Sequence, residues 1–300
     1  MRQFLKHICV FGLLFFLVEK GSFFLLKEAK NNQADKRLEY VIDGKMHKDI
    51  VIFGSSIGAG NILAGEIQKV QKLDTYNLSY HGSDVVLHKF LLESLLKYNK
   101  APKKVILVVD NPFYFKKNAL TFRDDVLKPL SQYDFVNNAL IETGNQPYYS
   151  KFLYLGRLNK NMISFKQKSG NKNNPLDSFG SQPLLKLDKH PSNIEKIGNN
   201  YTTNVEDQFK VEAFEDLQKL CKQNKIELIC VLPPSYRTHN TVFVNRLKRL
   251  IDKNVSKVFV YNTSNKAYLD SLNYYDNAHL NITGAKIFTS ELNDYLSSLD

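Results

Sequence analysis

Asp49-Ile50-Val51-Ile52-Phe53-Gly54-Ser55-Ser56-Ile57-Gly58-Ala59-Gly60 is a β-branched run that stops on a glycine and enters a turn of small residues. Unbroken apolar character over four residues, Ile50 to Phe53, is the pattern of a strand buried on both faces, as in a parallel sheet. The residues that follow, Asn61 to Lys72, have apolar positions at helical spacing, so the segment reads as strand, turn, helix. Such a turn serves two chemistries. Glycines let a backbone approach a pyrophosphate at a helix N-terminus, and a serine exposed there gains polarisation from the helix and oxyanion donors from the backbone. It is also simply what βα turns are made of. The turn alone leaves the three readings open.

Working outward, the alternation continues. Thr75 to Leu78 is a second short strand, Val85 to Tyr98 a helix, and Lys104 to Val109 (KVILVV) the most strongly strand-like segment of the chain. Val205 to Asn224 is an amphipathic helix feeding a fourth strand, Ile226 to Leu232, which stops at Pro233-Pro234. Asn240 to Lys253 is helical, Lys257 to Tyr261 is the fifth strand, and Thr283 to Leu299 closes the chain as a helix. Five strands interleaved with helices predict a three-layer α/β/α sandwich around a five-stranded parallel sheet. Residues 113–204 interrupt this rhythm as an insertion after the third strand. Its first part, Ala119 to Thr143, can form helices, and its second, Gly144 to Asn200, is rich in Asn, Ser, Gly and Pro. An insertion at the carboxyl ends of the strands is where an α/β protein grows a substrate platform.

Ahead of the sheet, Arg2, Lys6 and His7 precede the apolar run Ile8 to Val18 (ICVFGLLFFLV); Glu19 and Lys20 interrupt it and Phe23 to Leu26 resume it. The form is that of a signal n-region and h-region without a small-residue cleavage site. The expectation is an uncleaved anchor over residues 1–30, with residues 31–300 as the α/β domain held outside the cytoplasm. An amphipathic helix lying on the domain or on the bilayer is the alternative.

The chain has 300 residues, 41 Lys plus Arg against 30 Asp plus Glu, and 43% hydrophobic residues, which excludes a disordered or low-complexity protein. The net charge of +11 is spread along the chain, without aromatic or finger-type nucleic-acid motifs beside it. No nucleic acid is expected as a partner. Cys9, Cys221 and Cys230 form no CxxC pair, so no structural metal is implied, and the last two fall on core-facing positions of a helix and a strand. Asp188 and His190 read as surface residues of the insertion.

Two further facts separate the readings of the glycine turn. A short-chain dehydrogenase needs Tyr-x-x-x-Lys, and none of the 16 tyrosines has Lys four positions later. Asp276 stands three residues before His279, between the last strand and the last helix. A carboxylate there can fold back onto imidazole Nδ1 and leave Nε2 to take a proton from a serine hydroxyl.

Four segments together resemble the SGNH (GDSL-like) hydrolase family over most of residues 48–300 outside the insertion. Gly54, Ser55, Ser56 and Gly60 align with its first block, Asn77 and Gly82 with its Asn-x-x-x-x-Gly, Asn111 with its third block, and Asp276 and His279 with Asp-x-x-His. In the third block the family's glycine is missing and Pro112 replaces the Asp. Ser55 in place of Asp is similar to the Gly-Ser-Ser variant of membrane-anchored members that assist acyl transfer to cell-envelope polymers. The resemblance implies a flavodoxin-like sheet, Ser56 as nucleophile, His279 as proton relay, Asp276 as its orienter, and Gly82 and Asn111 as oxyanion donors. It implies no metal and no organic cofactor. The partners implied are an acylated polysaccharide or other acyl ester, the membrane and, where the chemistry is transfer rather than hydrolysis, a membrane-bound O-acyltransferase. The rival readings are a catalytically idle, membrane-tethered glycan-binding protein and, further off, an NAD(P)-binding oxidoreductase.

Overall fold

A computed structural model describes residues 1–159 and 169–299. Part of the insertion, residues 160–168, lies outside the described residues. The contacts divide the chain into two compact units. One joins Met1–Glu39 to Arg123–Gly170, and the other joins Tyr40–Phe122 to Asn171–Asp300. The insertion is thus shared between them.

The second unit is an α/β fold on a five-stranded, wholly parallel sheet. Its strands are β1 (Ile50–Phe53), β2 (Thr75–Asn77), β3 (Lys104–Val108), β4 (Glu227–Leu232) and β5 (Ser256–Val260), in the order β2-β1-β3-β4-β5. β1 and β3 are buried at every position, which is why Ile50–Phe53 and the stretch after Lys104 read as unbroken apolar runs. Alternate side chains feed two layers. Ile50, Ile52, Ile106, Val108, Ile229 and Val231 pack under the helices Ala64–Gln71 and Ile282–Ser297. The opposite layer holds the helices Val85–Tyr98 and Gln208–Gln223, with Phe53 stacked on His88 at 6.4 Å. Cys221 and Cys230 are both buried.

The chain runs outward from β1 in one direction to β2 and in the other to β3. That reversal is the topological switch point, where open α/β sheets form a crevice at the carboxyl ends of their strands. The residues leaving β1 and β3 there are Gly54-Ser55-Ser56 and Asp110-Asn111. Gly54 and Gly58 bring the turn close to the sheet. A Cβ on Gly54 would lie 2.8 Å from Val108 Cβ, and one on Gly58 2.6 Å from Ser79 Oγ. Both glycines therefore serve packing between helix and strand.

One predicted helix differs. In place of a single helix over Asn61 to Lys72 there are two, Ser56–Asn61 and Ala64–Gln71, with Ile62 and Leu63 extended between them. The break is held from far along the chain. Ser181 Oγ donates to Ile62 O (3.0 Å) and accepts from Ala64 N (2.9 Å), while Leu63 N donates to Thr289 Oγ1 (3.1 Å). Asn77 Nδ2 adds bonds to Gly58 O (2.9 Å) and Ile62 O (3.2 Å). Local periodicity carries no trace of such partners.

In the first unit a single helix, Arg2–Ala29, carries the apolar N-terminal sequence. Among the described residues it is the one helix long and apolar enough to cross a membrane. Leu26 and Ala29 are buried against Tyr154 and Leu158. Arg157, also buried, knits the rest of this unit. It donates from Nε to Ser150 O (2.8 Å), from Nη1 to Ser131 O (3.0 Å) and from Nη2 to Asp134 Oδ1 (2.7 Å).

Candidate active site

The site is built on the short helix Ser56–Asn61. Ser55 is extended (φ −80°, ψ −155°) and caps this helix, its Oγ accepting from Ile57 N. Ser56 is the first helical residue, and its Oγ lies 2.7 Å from His279 Nε2, 223 residues later in the chain.

The sequence around His279 folds by its own side chains. Asp276 Oδ1 accepts from Ala278 N (2.8 Å) and His279 N (2.9 Å), an Asx-type turn that brings the imidazole back over the carboxylate. His279 Nδ1 then sits 2.9 Å from Asp276 Oδ1 and 3.1 Å from Oδ2. Burial pushes the Asp276 carboxyl up, but the bonds from His279 and the backbone outweigh it and hold the pKa at about 2. An ionised Asp276 can only accept, so the Nδ1 position carries the proton and Nε2 is left as acceptor for the Ser56 hydroxyl.

Two residues that the motif reading passed over hold this loop in place. Leu280 N donates to Asn61 Oδ1 (3.0 Å). The helix that presents Ser56 at one end therefore grips the histidine loop at the other. Asn281 caps the closing helix through Thr283 N and Gly284 N, and its Nδ2 donates back to Leu272 O (2.6 Å). Gly284 has no room for a side chain, since a Cβ would fall 2.2 Å from Asn273 O. A polar residue in a six-residue helix has no distinctive sequence signature, so Asn61 could not be singled out beforehand.

Gly82 and Asn111 come to the same edge of the sheet. Gly54 O accepts from Tyr80 N (3.0 Å) and from Ser83 Oγ (2.9 Å), which fixes the Gly82 loop beside the serine turn. Gly82 has φ +70°, natural only to glycine, and its N–H donates to no described group. Asn111 Nδ2 lies 3.4 Å from both His239 Nδ1 and Asn240 O, and its buried Oδ1 has no hydrogen-bond partner. Neither residue is bonded to Ser56, Asp276 or His279. Asn77 is wholly buried and acts as a brace for the serine helix.

Asp110 is the titratable group that the sequence reading left without a role. It is 4% exposed, one of its oxygens has no hydrogen-bond partner, and it bonds to Ser55. Burial raises its pKa to about 6, against the pull of Ser55, His279 and Arg237. A sequence signal existed: an acid that follows the apolar run of residues 105–109 at the end of β3 enters a buried switch point. Among the described residues His88 is the one fully buried histidine, 2.9 Å from Ser83 Oγ and 3.1 Å from Tyr114 Oη. Burial drives its pKa down to about 3, so it is neutral and structural.

Beside His279 opens a groove of about 770 Å³. Tyr275 and Asn277 line it on the histidine loop, and Lys189, His190, Glu195 and Arg237 face them. Arg237 Nε donates to Glu195 Oε2 (2.7 Å), and that bond leads the fall in the Glu195 pKa. Lys189 Nζ lies 4.5 Å from the centre of the Tyr275 ring. His190, expected on the surface, is exposed and contributes to the groove wall. Among the described residues no three His, Cys, Asp or Glu side chains could hold a metal ion together.

No protein-family model matches the chain, and no curated protein matches it in sequence. Among solved structures, it is similar to the crystal structure of a proposed acylhydrolase from Bacteroides fragilis, at 12% identity and a TM-score of 0.40. That match covers 88% of this chain and 94% of the other.

Proposed function

We propose that the protein is a serine-dependent ester hydrolase or O-acyltransferase of the SGNH type, acting on acylated cell-envelope glycans or related esters. The observation that carries this reading is the continuous hydrogen-bond chain Ser56 Oγ, His279 Nε2, His279 Nδ1, Asp276 Oδ1 at the switch point. In the forward step Ser56 Oγ forms a bond to the acyl carbon while its proton passes to Nε2. The carbonyl π-electrons move onto oxygen, and the N–H groups of Ser56 and Gly82, with the Asn111 amide, stabilise that oxyanion. Collapse of the tetrahedral adduct expels the alcohol, which leaves with the proton from Nε2. The acyl-serine is then resolved by water in hydrolysis, or by an acceptor hydroxyl in transfer, with His279 again taking and returning the proton. Asp276 keeps the ring oriented and offsets its positive charge. No metal ion or organic cofactor enters any step.

An idle glycan-binding protein would need the groove but not a serine bonded to an oriented histidine, and the bonded arrangement favours catalysis. Against the dinucleotide reading stands the lack of a Tyr-x-x-x-Lys pair among the 16 tyrosines. A fluorophosphonate probe is expected to label Ser56 in the intact protein and to miss Ser55, which is 1% exposed. Peptide mapping by mass spectrometry decides between them, and label on Ser55 would sink the mechanism.

The anchor reading adds that residues 1–30 hold the chain in a membrane with residues 31–300 on the extracytoplasmic side. Arg2 and Lys6 on the N-terminal flank of the apolar run support that orientation. Alkaline phosphatase fused after residue 40 is expected to be active in a bacterial host. An inactive fusion alongside an active cytoplasmic reporter would reverse the topology.

A further inference from the structure

Within the first unit, the segment around Tyr148–Arg157 presents a set of aromatic side chains beside the N-terminal helix. Tyr148, Tyr149 and Phe152 are 66%, 58% and 69% exposed, and Leu155 is exposed beside them. Solvent-facing aromatics at that density, with Lys151 over the Tyr148 ring at 5.9 Å, are unusual on a surface that meets only water. The same segment is fastened to the helix. Tyr154 N and Leu155 N both donate to the Glu19 carboxylate, and the Tyr154 ring meets Phe23 edge-on at 5.1 Å.

The helix explains what covers them. The run Ile8–Val18 is only about 16 Å long at 1.5 Å per residue, roughly half the hydrocarbon thickness of a bilayer. Extending the stretch from Phe4 to Phe24 gives about 31 Å, a full span, but it draws Lys6 and His7 into one membrane boundary and Glu19 and Lys20 into the other. Lys20 lies over the Phe16 ring at 5.5 Å, a cation–π contact. For Glu19, a bare carboxylate near hydrocarbon is costly. Two backbone N–H groups from the Tyr148–Arg157 segment supply its hydrogen bonds instead.

We infer that residues 148–155 form an interfacial collar that seats in the headgroup region of a lipid bilayer around the N-terminal helix. This rests on the reading of that helix as a membrane anchor. Tyr148, Tyr149 and Phe152 supply the amphipathic and apolar rings of an aromatic belt, and Lys151 faces the anionic headgroups. The exposed apolar surface of the helix, continuous with the collar through Glu19 and Phe23, identifies lipid as the occupant rather than a second copy of the chain.

The chain has no tryptophan, so single replacements are clean reporters. Full-length Phe152→Trp and, separately, Leu14→Trp are reconstituted in vesicles of phosphatidylcholine and phosphatidylglycerol carrying brominated acyl chains. Trp emission in the Phe152→Trp protein is expected to fall by about half or more with bromines near the headgroup end, and less with bromines deep in the chain. The Leu14→Trp protein is expected to show the opposite depth order. Quenching of Leu14→Trp alone would overturn the collar and leave the anchor standing. A blue-shifted but unquenched Phe152→Trp signal would mean a protein occupant and would also overturn it. Absence of quenching in both proteins would remove collar and anchor together.

Discussion

Ser56→Ala and His279→Ala are each expected to lower the turnover of a short p-nitrophenyl ester by several orders of magnitude, on the order of 10⁴ to 10⁶. The geometry sets the size of the effect. The 2.7 Å contact from Ser56 Oγ to Nε2 joins the two groups that must move together, so the double variant should be little worse than either single one. Asp276→Asn should cost less, because the carboxylate orients and offsets charge without transferring a proton. With its pKa held at about 2, Asp276 stays ionised throughout the working range, and the acid limb of the rate profile does not belong to it. Ser55→Ala should lose the helix cap, about 1 kcal/mol of stability, together with the hydrogen bond to Asp110, with a far smaller effect on rate than Ser56→Ala. Initial rates, compared with circular dichroism to show that each variant folds, decide the matter. Undiminished activity in Ser56→Ala would end the proposal, whereas silence of the wild type on model esters would direct attention to its own donor and acceptor.

The parts of the molecule that could be read from sequence are those whose physics is local. β1, β3 and β4 announce themselves because strands buried on both faces are apolar past their first residue, and the observed ends lie within a residue or two of the expected ones. The helix Val85–Tyr98 is found as expected because Asp84 caps it through Val86 N and Leu87 N. Asp276 and His279 were legible as a pair for the same reason, since their contact closes within four residues.

What the sequence hid depends on partners far away. The break at Ile62-Leu63 is made by Ser181 and Thr289, and the grip of Asn61 on Leu280 spans 219 residues. The first part of the insertion, from Arg123, clusters with the N-terminal helix. Its later part braces the sheet unit. Asn77 N donates to Phe179 O (2.8 Å), and Gln182 N donates to Ala59 O (2.7 Å), at the end of the serine helix. A low-complexity run of Asn, Ser and Gly carries no period from which such docking could be inferred.

Asp110→Asn is expected to stabilise the protein at alkaline pH while slowing it. The folded-state pKa of Asp110 is raised to about 6 from an ordinary 3.8, so the native state holds its proton more tightly than the unfolded chain. Below pH 3.8 both states are protonated and the buried acid carries no charge penalty. As pH rises through 6 the native carboxyl ionises without water around it. The accumulated cost is about 3 kcal/mol, from roughly two pKa units at 1.36 kcal/mol each. Asparagine removes that charge and can still accept from the Ser55 hydroxyl, but its amide N–H groups enter a place where one Asp110 oxygen has no partner. An unmet buried donor costs about 1–3 kcal/mol. The net gain at pH 8 should therefore be about 0–2 kcal/mol, reversing near pH 4. Chemical denaturation at both pH values measures it, and a pH-independent difference would refute the buried-charge account. The rate should move the other way. The Asp110 carboxylate exerts a Coulomb pull on His279, which favours the imidazolium formed as Ser56 gives up its proton. Asp110→Asn should lower kcat about tenfold with KM little changed, and simplify the acid limb of the rate profile toward a single ionisation. On the proposed mechanism, a buried charge that weakens the fold and sits against the residue beside Ser56 has its physical justification in that step.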